Sequence, residues 1–187
     1  MKTFLAILIA AAALTIGSSP AFAQMMRENP MVGGAAMYPT KTIVSNAMNS
    51  SDHTTLVAAV KAAGLVDTLN SKGPFTVFAP TNDAFAQLPA GTVDTLLKPE
   101  NKAMLTKVLT YHVVSGKYES KTLARLIKKG HGKARLKTVS GGTLTATMDG
   151  SNIVLRDEKG GNSTVTVSDV YQSNGLIHVV NAVLMPN

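Results

Sequence analysis

Apolar and polar positions follow two different rhythms along this chain. In the first two-thirds the apolar residues recur at helical spacing. Leu56, Val57, Val60 and Ala63 form one stripe; Met104, Leu105, Val108 and Leu109 a second; Leu123, Leu126 and Ile127 a third, on a helix spanning about 120–129. Ile43, Val44 and Ala47 mark a shorter helix that Thr40 is placed to cap, and Ser51 or Asp52 is placed to cap the next. Gly64 and Gly130 stand where two of these helices should stop, and Pro99 fits a first-turn position. In the last third the period becomes two. Leu136 and Val139, then Leu144, Ala146 and Met148, then Ile153 and Leu155, then Val165 and Val167 alternate with polar neighbours. Glycine-rich breaks separate these runs, and Asp149–Gly150 reads as the central pair of a tight hairpin with positive φ at both residues. The result is a β-meander, followed by a continuously apolar run over 176–184 that predicts a strand buried on both faces. Helices gathered before strands argue an α+β domain.

One stretch, 73–85, joins the two layers. Pro74 and Pro80 bracket a short apolar strand over 75–79. Thr81 or Asn82 then caps a helix start, with Asp83 near its positive end and Ala84, Phe85 and Leu88 facing inward. A second short strand is predicted at 111–114. There Leu109, Tyr111 and Val113 share a face, which makes Tyr111 a core residue with its hydroxyl tied down.

The stretch 73–85 resembles the first signature of the fasciclin domain, and 177–184 (Ile-His-Val-Val-Asn-Ala-Val-Leu) resembles the second. Tyr111–His112 stands between them, where that family carries its Tyr-His pair. The resemblance runs over about 38–186, with no internal repeat. It implies a single α+β domain, a β-wedge or sandwich with helices packed along it, in which Phe75, Phe78, Pro80, Thr81, Asn82, Phe85, His178 and Asn181 serve the fold. It also implies cell adhesion or association with a surface or extracellular matrix, without a cofactor. In animal members the Tyr-His pair and its aliphatic neighbours are implicated in integrin-mediated adhesion. By that resemblance Tyr111, His112, Leu109, Val113 and Val114 are candidate contacts for a cell-surface or matrix protein or glycan. The absence of cysteine from a chain read as exported points to a bacterial envelope, where the integrin itself does not carry over.

The first residues of the chain point to export. Residues 1–23 read as a signal peptide, with Lys2, an apolar core over 4–16 and the small-x-small site Ala21-Phe22-Ala23. Residues 24–37 read as a flexible methionine-rich linker and 38–187 as the domain. Met25, Met26, Met31 and Met37 raise Cu(I) as a soft-ligand alternative to a plain tether. No second apolar run approaches the length of a membrane span. The expected location is therefore secreted, in the periplasm or at the cell surface. With no cysteine in the chain, a hydrophobic core alone must hold the domain.

Charge adds a second candidate surface. The chain is net +7, and without Lys2 it carries 17 Lys and Arg against 11 Asp and Glu. The excess concentrates between Lys117 and Lys137, where Glu119 is the sole acid. Lys121, Arg125, Lys128 and Lys129 recur at helical spacing as a cationic face for acidic polysaccharide, lipopolysaccharide phosphates or an anionic envelope surface. A solvated face that keeps the domain soluble is the other reading. Nucleic acid is excluded by the lack of interleaved aromatics and by export.

Catalytic motifs are missing: no G-x-S-x-G, H-E-x-x-H, P-loop or G-x-G-x-x-G occurs. The histidines, His53, His112, His131 and His178, are scattered. His178, between Ile177 and Val179, reads as a buried, hydrogen-bonded residue, with metal or catalytic work as the alternative. The expectation is a binding module, not an enzyme.

Overall fold

A computed structural model describes residues 29–187. The expected signal peptide and the first two linker methionines lie outside the described residues. The fold is built on strands β3 (Phe75–Pro80) and β9 (Gly175–Val180), which run parallel and in register from Phe75↔Gly175 to Pro80↔Val180. Both are buried on both faces because each face has its own apolar layer. Val77, Ala79, Ile177 and Val179 meet helices α1 (Ile43–Ala47), α2 (Thr54–Ala63), α3 (Val66–Asn70) and α6 (Lys102–Tyr111) on one side. Phe78 and Val180 meet α7 (Ser120–Lys129) and the meander on the other. A continuous apolar run therefore signals a strand covered on both sides.

The full sheet has seven strands in the order β4-β3-β9-β8-β7-β6-β5. Its remaining members are β4 (Val113–Ser115), β5 (Lys133–Lys137), β6 (Thr143–Asp149), β7 (Asn152–Arg156) and β8 (Asn162–Gln172). A Val114↔Thr138 bridge and the bond from Val139 N–H to the Val113 carbonyl (2.8 Å) bring the edges β4 and β5 together, so the sheet is nearly closed. Closing the edges removes exposed ladder groups that would otherwise pair with other chains. Short helices α4 (Asn82–Ala86) and α5 (Thr92–Leu97) complete the helical layer.

The strand-to-helix stretch forms as its residues dictate. Thr81 is the N-cap of α4, its hydroxyl accepting from Ala84 N–H at 3.2 Å. Asn82 works sideways instead: its carbonyl oxygen accepts from Thr55 N–H and the Thr54 hydroxyl, and its amide donates to the Ser51 carbonyl. Ala84 and Phe85 face the core, and Gly64 closes α2 at φ 72°.

Several expectations need correction: α2 begins after His53 without a side-chain cap from Ser51 or Asp52, and the last strand ends at Val180, short of residue 184. Residues 31–36 form an antiparallel hairpin, β1 (Met31–Val32) with β2 (Ala35–Ala36), and Val32 and Met37 are buried in the helical core. Asn29 also exchanges two hydrogen bonds with the Tyr171 backbone. The folded body therefore begins before residue 38, and burial of Met37 beside exposed Met31 breaks up the four-thioether idea. Thr42, not Thr40, caps α1. Leu109 and Tyr111 belong to helix α6, and the strand begins only at Val113. The hairpin turn is Gly150–Ser151, between the pair Asp149↔Asn152, with positive φ at Gly150 alone. That pattern is the one a II′ turn needs.

Candidate functional site

The Tyr111–His112 pair sits at the joint between α6 and β4, inside the domain. Tyr111 has no exposed surface, and Leu109, His112, Val113 and Val114 are each at most 5% exposed. The five candidate contact residues therefore lie in the core, as expected of Tyr111, and present no exposed Tyr-His patch to a partner. Tyr111 donates its hydroxyl proton to the Thr143 carbonyl (2.9 Å) and accepts from Glu158 N–H (3.2 Å), tying α6 to two points of the meander. Burial, opposed by the Glu158 amide, pushes the phenol up to about 12. Gly142 leaves room for this ring: a Cβ there would stand 2.7 Å from Tyr111 Cε2.

His112 is a second staple. Its Nδ1 bonds the Val108 carbonyl at 2.8 Å, so it carries the proton, and Nε2 accepts from Leu184 N–H at 3.0 Å. A neutral imidazole satisfies both partners at once, and a charged one would lose the Leu184 bond. Burial accordingly lowers its pKa to about 4, against the Val108 carbonyl and Asp157, which favour the charged form. Asp157 secures the same C-terminal segment, accepting from Met185, Lys159 and Gly161 N–H groups.

His178 is likewise structural in its contacts. Nε2 donates to the Tyr118 carbonyl (2.8 Å), Nδ1 accepts from Asp169 N–H (3.3 Å), and the ring stacks on Phe78 at 5.5 Å between centroids. Burial lowers its pKa. Asp169 lies at φ 59° in an irregular part of β8, and its carboxylate accepts from the Ser120 N–H at 2.8 Å and from the Ser120 hydroxyl. The first turn of α7 is thus capped from a neighbouring strand, and the signature histidine fixes where that helix stands. Asn181 holds the far end of the sheet, accepting from Thr164 N–H at 2.8 Å. No sequence spacing discloses Asp169 as the cap, because it lies 49 residues from Ser120.

Helix α7 carries the exposed chemistry. Leu123 and Ile127 are buried against Leu136, Leu144, Ala146 and Leu155. At about 100° per residue, Lys121, Arg125 and Lys128 fall within about 60° of one another and about 150° from those leucine and isoleucine positions. Lys129 flanks them. All four are exposed, and none is in an ion pair among the described residues. Lys117, by contrast, pairs with Glu119 (3.6 Å) and lies 4.9 Å from the Tyr171 ring centroid.

Two recesses complete the candidates. An apolar cavity of about 50 Å³ lies between the helical layer and β3/β9. His53 lines it, with Nδ1 bonded to the Ser50 hydroxyl and a buried Nε2 near the Ala79 carbonyl that completes no hydrogen bond. That volume is far below the few hundred Å³ of a small-molecule site. A polar groove of about 530 Å³ is lined by Thr42, Asn70, Lys72, Lys117 and Asn174. Its Asn174 side chain is committed to Ile43, Leu69 and Ser71 backbone groups. Among the described residues no cluster of three or more acidic or histidine side chains is placed to hold a metal ion.

A nearly closed mixed sheet with helices on one side and a capped α7 on the other is a fasciclin-type fold, and the comparisons agree. The fasciclin domain family model matches residues 51–186, so the chain belongs to that family. Among its relatives is protein sll1483 of Synechocystis, 45% identical over 159 residues, with 85% of this chain and 81% of that protein covered. Immunogenic protein MPB70 of Mycobacterium bovis is 36% identical over 174 residues, covering 90% and 75%. Among solved structures, a FAS1 domain pair from the insect cell adhesion molecule Fasciclin I superposes with a TM-score of 0.70 at 18% identity, covering 78% of this chain and 51% of that one. No helix among the described residues is long and apolar enough to cross a membrane.

Proposed function

We propose that this chain is an exported binding module without catalysis, which associates with cell surfaces or envelope material through the cationic face of α7. The observation that carries this reading is a contrast of exposure. The Tyr111–His112 patch is wrapped into the core, whereas Lys121, Arg125, Lys128 and Lys129 stand in solvent on a helix without an acid. The partner chemistry that suits such a face is acidic glycan, attracted over a distance and held by release of counterions. Membership of a family with adhesion molecules fits a surface role.

The test is binding of the full chain to polygalacturonate at low and at physiological salt, beside K121Q/R125Q/K128Q/K129Q with its fold checked by circular dichroism. With up to about 1 kcal/mol for each cation near an anionic surface, binding through α7 should weaken on the order of 100-fold in the variant, and the salt dependence should fall with it. Equal binding by the folded variant would remove α7 as the contact.

A further inference from the structure

The basic run is continuous in sequence but not in space. Helix α7 turns its apolar positions to the sheet and its cations away from it. Strand β5, which follows directly, turns Ala134 and Leu136 toward that same helix and exposes Lys133, Arg135 and Lys137. Alternation along a strand sends these three to the opposite surface of the sheet. The run thus divides into two cationic surfaces that face apart, with the α7–meander core between them.

The second surface extends across the meander. Arg135 pairs with Thr145, and Thr145 with Arg156, so two guanidinium groups flank a hydroxyl in one cross-strand row. Two strand spacings separate them by about 10 Å, and Lys133, Arg135 and Lys137 repeat at about 7 Å along β5. Thr143 and Thr147 add further hydroxyls on the same face. The acids near it are marginal: Asp149 is at the hairpin tip, and Glu158 accepts from the Thr143 and Asn187 N–H groups. Met148, the exposed large apolar side chain of β6, alternates to the opposite face with Leu144 and Ala146, and the apolar side chain on the cationic face is half-buried Val154. A bilayer-docking face would carry more apolar surface, whereas regularly spaced cations among hydroxyls suit a hydrated polymer of repeating negative charge.

We propose that the α7 face and the β5–β7 face each hold acidic polysaccharide, so that one chain bridges two polymer strands. This rests on the reading of α7 as a polyanion contact and adds a second, opposed site. A module with two such faces links material to material, which a single contact face does not.

A sandwich measurement tests it. The full chain is loaded onto immobilised polygalacturonate and washed, and fluorescent polygalacturonate is then added. Wild type should capture the second polymer. K133Q/R135Q/K137Q/R156Q, loaded to the same density, should capture at least tenfold less, and the milder R135Q/R156Q should capture about threefold less if the larger change disturbs folding. Wild type that loads but captures nothing overturns bridging and leaves the α7 contact standing. Wild type that fails to load overturns both. Capture undiminished in a folded sheet-face variant overturns the second site. Capture of phosphatidylglycerol vesicles in place of the polysaccharide overturns the assigned partner.

Discussion

Taking the protein from about pH 7.5 to about pH 4 should cost about 3 kcal/mol of folding stability at His112 alone. The sign follows from the two states. In the unfolded chain the imidazole titrates near 6.5, and in the folded chain at about 4. Between those values the unfolded state binds the proton and the native state does not, so stability is full above about pH 6.5 and falls as acid is added. The cause is local: a protonated ring would be a buried charge and would turn a second N–H toward the Leu184 amide. Burial depresses His53 and His178 as well, so both push in the same direction. Urea unfolding measured across this window should show the midpoint falling with pH, with about one proton less uptake on unfolding in His112→Asn. Stability that stays level from pH 6.5 to pH 4 in wild type would contradict the neutral, double-bonded imidazole.

Truncating Tyr111 should be the most damaging single change in the meander contact. Tyr111→Ala removes a fully buried ring packed beside Gly142 and should destabilise by about 3–5 kcal/mol. Tyr111→Phe keeps the ring but leaves the Thr143 carbonyl and Glu158 N–H without their shared partner, at about 1–2 kcal/mol. Chemical denaturation gives both numbers. The phenylalanine variant should also bind acidic glycan as wild type does, because nothing of Tyr111 reaches the surface. Loss of binding in Tyr111→Phe at unchanged stability would return the pair to a contact role.

Much of the architecture was legible in local pattern. Period-two runs gave the meander, helical stripes gave α2, α6 and α7, and the Pro74–Pro80 bracket with Thr81 gave the strand-to-helix joint. What escaped was set by tertiary geometry. Tyr111 and Leu109 continue a helix whose last turn a short pattern cannot separate from a strand start. Val32 and Met37 look like linker residues because their apolar partners, such as Ile43 and Val44, belong to a neighbouring segment. The Asp169 cap of α7 needs an irregular strand and His178 to aim it. Charge density alone located the 117–137 run, but only the alternation of buried and exposed residues across α7 and β5 shows that it makes two faces.

The most direct measurement is residue-level mapping of the contact by NMR. Amide shifts of the isotope-labelled full chain are followed while polygalacturonate is titrated in at low salt. Perturbations are expected along the solvent face of Ser120–Lys129 and at Gly130–Gly132, with the core amides of Tyr111 and His112 unmoved. Perturbations absent from α7 and concentrated elsewhere, around the Lys72–Lys117 groove for example, would contradict the α7 contact.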